Sequence, residues 1–335
     1  MVTSSEVARI AGVSQSTVSR VLNGSPLVRP ETRKRVLLAL EQHTPNANAR
    51  AMRLGRTDAV GVVAAGVTNP YVPEILEALS VAAIRRGLTL TLWNEHDEAL
   101  GAAVAGVLGG VVDGLVLTSA TTANVPALQR LLDHNTPLVL MNRGLSFLAA
   151  DQVTSDNSQI GRLAAQYLLR HGRTNIGLVV GPDDTQPVIE RREALLDELW
   201  RTGGIDVPRR AIIHGSLTFA TGERAAEELR RQGIDTICCG NDLQAFGVMS
   251  ALEALDVRVP EEIWVTGVDD LEMASWRPFG LTTIRQQISG MADAALELLQ
   301  RRIEDPSAEP RTVMLPGELV VRSSTAHATG EGLGS

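Results

Sequence analysis

The sequence holds a single lysine, Lys34, and only two cysteines, the adjacent Cys238 and Cys239. No Gly-x-x-x-x-Gly-Lys phosphate loop exists, and no Gly-x-Gly-x-x-Gly follows the first strand-like run, so two common nucleotide-binding devices are excluded. Neighbouring cysteines on an extended segment point to opposite faces, which argues against a disulfide or shared metal ligation and for small buried strand residues. Six scattered histidines show no His-x-x-x-His spacing, and neither a metal site nor a cofactor is predicted. The most apolar run, 99–112, is Gly/Ala-rich and stops at Asp113, short of the ~18 residues a membrane span needs, so no membrane partner is expected. Residues 1–6 show neither a basic nor an apolar leader region, which predicts a cytoplasmic protein.

What is present is uneven in charge. Residues 1–56 carry nine basic and three acidic side chains, a local +6, and the rest of the chain carries −14 within a total of −8. A basic head on an acidic body points to a polyanion as the partner of the head alone. At 335 residues the chain is long enough for two or three compact units.

The head has helical spacing. Thr3 and Glu6 fit a capping box before the stripe Val7, Ala8, Ile10, Ala11, and Gly12 closes that helix. Ser14 is placed to cap a second helix, 15–22, ending at Asn23-Gly24, and Pro30-Glu31 open a third that Pro45 stops. Two short helices joined at a glycine and buttressed by a third predict a helix-turn-helix. In that motif the start of the second helix faces base edges, here Gln15 and Ser16 with Arg20 one turn on. Ser14, Thr17, Ser19 and Asn23 suit phosphate oxygens, as do Arg29 and Thr32 at the third helix, and Thr3 is a further contact candidate.

Beyond Arg56, eight short aliphatic runs alternate with helical stretches, which predicts βαβ units, parallel sheets covered on both faces and two similar lobes. The polar residues cluster where strands end: Asn69 and Tyr71, Asn142 and Arg143, Asn241 and Asp242, and Asp269. The segment 322–335 lacks leucine periodicity and predicts a frayed tail.

"VARIAGVSQSTVSRVLNG" with "VRPETRKRVLLAL" resembles the DNA-binding head of the lactose-repressor (LacI/GalR) family of bacterial transcription regulators. The likeness continues through "NPYVPEILEAL", "VDGLVLTS", "CCGNDLQAFGVMSALEAL" and "VTGVDDLEMASWRPFGLTTIRQ". It implies a small all-α helix-turn-helix head and an α/β two-lobed, periplasmic-binding-protein-like effector domain. A homodimer would read roughly palindromic double-stranded operator DNA, and a small-molecule effector would sit between the lobes. The expected organisation is a head at 1–45, a hinge and linker at 46–57, a body at 58–322 and a flexible tail at 323–335. Lobe 1 would comprise 58–157 and 286–315, and lobe 2 158–285 and 316–322. The resemblance makes Met52 the minor-groove wedge of a hinge helix and puts the polar Asn48 where two hinge helices meet. The stretch before Pro45 departs from the family by being about two residues short and lacking its aromatic.

Asn69, Tyr71, Asn142, Arg143, Asp156, Arg191, Asn241, Asp242 and Asp269 each resemble a cleft position, and either Leu217 or Phe219 would provide an effector-facing side chain. Paired donors and acceptors with one ring suit a sugar or polyol. A purine-responsive regulator is the alternative, ahead of a cytoplasmic sugar-binding protein or an enzyme on a doubly wound fold.

Overall fold

A computed structural model describes residues 4–22, 25, 27–43, 56–64, 66–94 and 99–325. Thr3, Asn23, Asn48, Met52 and most of the expected hinge lie outside these. The head consists of α1 (Ser4–Ala11), α2 (Gln15–Leu22) and α3 (Pro30–His43). Gly12 takes φ +63° between the first two, a conformation that glycine adopts at no steric cost. Val7, Ala8, Ala11, Val18, Val21, Val36 and Ala39 form its core.

The body begins with a six-stranded sheet of order β11-β5-β4-β3-β1-β2, parallel throughout. Its strands are β1 (Ala59–Ala64), β2 (Thr89–Asn94), β3 (Gly114–Leu117), β4 (Leu138–Met141), β5 (Asp151–Ser155) and, from much later in the chain, β11 (Thr312–Leu315). Alternate residues serve two cores. Val62, Val116 and Val139 face the helices α4 (Tyr71–Arg85) and α11 (Ile288–Glu304), while Val63, Leu117 and Leu140 face α5 (Ala99–Leu108) and α6 (Val125–Asp133).

A second parallel sheet of order β7-β6-β8-β9 comprises β6 (Ile176–Val180), β7 (Ile212–His214), β8 (Thr236–Cys239) and β9 (Trp264–Thr266). Two helix pairs pack on it: α7 (Asn157–Arg170) with α8 (Gln186–Gly203), and α9 (Phe219–Arg231) with α10 (Asp242–Ala254). Glycine makes both pairs close: a Cβ on Gly161 would lie 2.3 Å from the Arg191 carbonyl oxygen, and one on Gly222 2.0 Å from that of Gln244. Cys238 and Cys239 are free and buried in β8, where burial pushes the Cys238 thiol up to about 11, so neither is a ready nucleophile.

Within the described residues the chain passes between the sheets after β5, after β10 (Thr283–Arg285) and before β12 (Glu318–Val320), which pairs antiparallel with β10. The eight aliphatic runs read from the sequence all appear as strands. β5 is not legible as one because Asp151, Gln152 and Ser155 are polar yet buried. Tertiary partners satisfy them: Arg302 and the Arg311 amide for Asp151, the 145–148 loop for Gln152, and Gln286 for Ser155.

The expected frayed tail is corrected at its start. Ser324 and Thr325 are buried; Thr325 Oγ1 lies 2.7 Å from both Tyr167 Oη and Thr282 Oγ1, and Ser324 Oγ donates to the Val265 carbonyl. Arg322 is held as well, donating to Asp270 at 2.6 Å and to the Leu281 carbonyl. Small polar residues read as solvent-loving in isolation here close the second sheet with buried hydrogen bonds.

Candidate functional site

In the head, α2 turns Val18 and Val21 inward and leaves Gln15, Ser16, Ser19 and Arg20 exposed. Its start is capped as the sequence predicts, with the Thr17 amide donating to Ser14 Oγ at 3.2 Å. Ser14 Oγ also lies 2.9 Å from Ser16 Oγ and 2.8 Å from Thr17 Oγ1, and Gln15 Nε2 donates to Ser4 Oγ at 2.8 Å. These exposed bonds exchange readily with water or with a partner, so the short hydroxyls and the Gln15 amide form a pre-grouped polar edge. Arg29 is exposed and Thr32 half-buried at the start of α3.

In the body, the carboxyl ends of strands from both sheets face one cavity that is open to solvent. Eight of the eleven cleft candidates line it: Asn69, Tyr71, Asn142 and Arg143 from the first sheet, and Arg191, Leu217, Asn241 and Asp269 from the second. Ligands of parallel α/β sheets bind at this end because helix starts and loop amides converge there.

Three candidates face elsewhere. Asp156 caps α7 by accepting from the Gln159 amide at 2.8 Å. Phe219 opens α9 and packs on the core, so Leu217 is the one of that pair at the cavity. Asp242 is 0 % exposed and turns inward, accepting from Thr283 Oγ1 at 2.5 Å and the Leu271 amide at 2.9 Å. Burial pushes its carboxyl up to about 7 against those two donors.

The cavity wall carries stored strain and orphaned polarity. Asn142 has φ 70° and Asp269 φ 130°, backbone conformations costing a non-glycine residue about 1–3 kcal/mol. Asp269 is 5 % exposed, and burial followed by the nearby Asp242 charge raises its pKa well above the carboxylate range. It accepts from Gln286 Nε2 at 2.6 Å, and Gln286 Oε1 accepts from Ser155 Oγ at 2.6 Å. Arg191 donates to Asn157 Oδ1 at 2.7 Å and to the Gly240 carbonyl at 3.2 Å, which fixes its guanidinium at the rim. Tyr71 Oη and Asn241 Nδ2 are buried with no hydrogen-bond partner among the described residues. Leaving such a group unpaired costs about 1–3 kcal/mol, so both are poised for an incoming polar group.

Sequence reasoning missed Thr118, Ser119, Thr185 and Gln286 as cavity residues. Thr118 and Ser119 end the third strand-like run and could have been found by extending the strand-end rule to every strand. Gln286 could not, because only the return of the chain from the second sheet brings it to Asp269.

The family description "Bacterial regulatory proteins, lacI family" matches residues 3–46, and "Periplasmic binding protein-like domain" matches residues 165–325. The ribose operon repressor of Escherichia coli strain K12 is 32 % identical over 331 residues, covering 97 % of this chain and 100 % of that protein. The crystal structure of the lac repressor dimer bound to operator and the anti-inducer ONPF is similar at a TM-score of 0.80 and 25 % identity, covering 97 % of this chain and 99 % of that one. A transcriptional regulator CelR–cellobiose complex matches at a TM-score of 0.73 and 29 % identity, covering 96 % of this chain and 99 % of that one. The likeness thus extends along the full length of known repressors, head and body together, and this chain belongs to the lacI family of bacterial regulatory proteins: it is a DNA-binding transcriptional repressor controlled by a small molecule.

Proposed function

We propose that the effector is a neutral sugar of mono- to disaccharide size, bound in the cavity between the lobes of a cytoplasmic homodimer without enzymatic activity. The observation that carries this is the pairing of two orphaned groups, Tyr71 Oη and Asn241 Nδ2, with the strained Asp269 in one cavity. Together with Arg191 and Asn142 they offer the mixed donors and acceptors that hydroxyl groups need, while Val72, Ile75 and Leu217 offer apolar surface for a ring face. Similarity to a ribose operon repressor and to a regulator in complex with cellobiose supports the same class. A purine is less well served, since Tyr71 is the single aromatic lining the cavity among the described residues.

The organisation that accompanies this proposal is a head at 1–45, a hinge and linker at 46–57 and two lobes within 58–322. Gln15, Ser16 and Arg20 would read base edges, and Ser14, Thr17, Ser19, Arg29 and Thr32 would hold phosphates. Thr3, Asn23, Asn48 and Met52 keep their expected DNA-contacting roles as part of the proposal. Closing the lobes on the effector would change the separation of the paired hinges and with it the affinity for a palindromic operator.

Two measurements test this. A thermal-shift and calorimetry screen of pentoses, hexoses, disaccharides and purine bases is expected to return a neutral sugar; a purine as the tightest binder would overturn the assignment. Selection of bound duplexes from a random pool at near-physiological salt is expected to return one palindrome, because the phosphate contribution falls steeply as salt rises.

A further inference from the structure

Leu27, in the turn between α2 and α3, is 86 % exposed, more than any other large apolar side chain among the described residues. Its neighbour Val28 packs against the head core, while Leu27 and Arg29 on either side of it face solvent. The turn is held in place from both helices. The Ser25 amide donates to the Arg20 carbonyl at 3.0 Å, the Arg33 guanidinium donates to the Ser25 carbonyl, and the Leu27 amide donates to Ser25 Oγ at 3.4 Å. These bonds fix Leu27 between Arg20, on the helix whose start faces base edges, and Arg29 at the start of α3. A leucine held there in water forgoes the free energy that burial would return, and no described residue of the head covers it. Its position is continuous with the surface that meets DNA.

We propose that Leu27 is a specificity-determining residue that packs on the C5-methyl group of one thymine per half-site. This goes beyond the base contacts of Gln15, Ser16 and Arg20 and rests on the same docking of α2 in the major groove. The C5-methyl of thymine is the one apolar group that base edges present in that groove. Every other position there is a hydrogen-bond donor or acceptor, which a leucine would strip of water without replacing the bond. Gln15, Ser16 and Arg20 tell bases apart by donors and acceptors; Leu27 adds a distinction of another kind, made by a methyl group alone.

The test uses full-length protein and the operator that it recovers from a random duplex pool. Each thymine in turn is replaced by deoxyuridine, which removes the C5-methyl and keeps base pairing and every donor and acceptor in the groove. Burial of one methyl-sized group corresponds to about fourfold in affinity. In the wild type, deoxyuridine at one position per half-site is expected to cost about that factor. Leu27→Ala should lose about fourfold or more on the thymine operator and be indifferent, within about 1.5-fold, to deoxyuridine at that position. Leu27→Met keeps an apolar side chain and should keep most of the sensitivity. Because Leu27 is exposed, Leu27→Ala should leave the melting of the head and the affinity for random-sequence DNA unchanged, which loss of folding would not do. Equal sensitivity to deoxyuridine in the wild type and Leu27→Ala would overturn the proposal. So would an equal loss by Leu27→Ala on operator and random DNA, the mark of a sugar–phosphate contact. A consensus that Gln15→Ala alters but deoxyuridine does not would overturn the proposal alone, whereas recovery of no consensus by the wild type would overturn the docking of α2 with it.

Discussion

In the head, Gln15, Ser16, Ser19 and Arg20 stand exposed on a helix whose inner side buries Val18 and Val21. In the body, Asn241 and Asp269 are 2 % and 5 % exposed at the ends of strands, one with an orphaned amide and the other with a strained backbone. The two regions solve different problems. DNA is large and arrives from outside, so its contacts can be surface side chains with local bonds that water replaces when no duplex is bound. A small effector must be surrounded, so its contacts are desolvated in advance, and the fold carries the cost in strain and unpaired polarity.

The comparison can be broken at four places, from the largest expected effect to the smallest. Val36 is fully buried in a head core that comprises seven of the described residues, and Val36→Asp puts an unpaired charge there at a cost of several kcal/mol. DNA binding should disappear in mobility-shift assays while the body's calorimetric transition stays in place; loss of both transitions together would mean that the two regions do not fold independently.

Asp269→Ala should weaken the effector by about two orders of magnitude in calorimetry, as expected for losing a buried hydrogen-bonding group and leaving its partners unpaired, while operator affinity without effector stays within a few fold. An unaltered effector affinity would move the site away from this wall of the cavity.

Asp242→Asn separates structure from binding within the same strand-end motif. The folded carboxyl sits at about 7, above its usual 3.8, so the native state retains a proton that the unfolded chain releases between these values. The unfolded state binds fewer protons in that window, and stability therefore falls as pH rises from about 4 to about 7. Asparagine can accept from Leu271 and donate to Thr283, so the variant should flatten this part of the pH–stability curve and gain a few kcal/mol at pH 8 relative to wild type. An unchanged slope in urea melts would show that Asp242 is ionised at little cost.

The smallest effect is expected at the end of the described chain. Thr325→Val should lose about 1–2 kcal/mol by leaving Tyr167 and Thr282 with one fewer partner each, seen as a lowered melting temperature with DNA binding intact. No change would return this segment to the frayed tail that its composition suggests.

Legibility from sequence followed the same division. The three head helices were readable because their stops are local: Gly12 turning after α1, Ser14 capping α2 and Pro30 opening α3. Eight strands were readable as aliphatic runs, and eight of eleven cleft candidates proved to face one cavity, since strand ends are countable along a chain. Asp156, Phe219 and Asp242 were not separable from their neighbours. Whether a polar residue at a helix start caps that helix, turns inward or meets a ligand depends on what lies opposite. For Asp242 that is Thr283, 41 residues away.

The sequence by itself determined the class of the protein: a basic helix-turn-helix head, an acidic α/β body and polar strand ends, all set by charge, short-range capping and hydrophobic period. Only the tertiary structure decided that polar β5 is a central strand, that Ser324 and Thr325 close the second sheet, that Gln286 joins Ser155 to Asp269, and that Asp113 fastens Thr57 and Asp58. Each of these is a hydrogen bond between residues far apart in the chain. Such a bond becomes favourable once folding has removed the competing water, and composition and periodicity carry no trace of it.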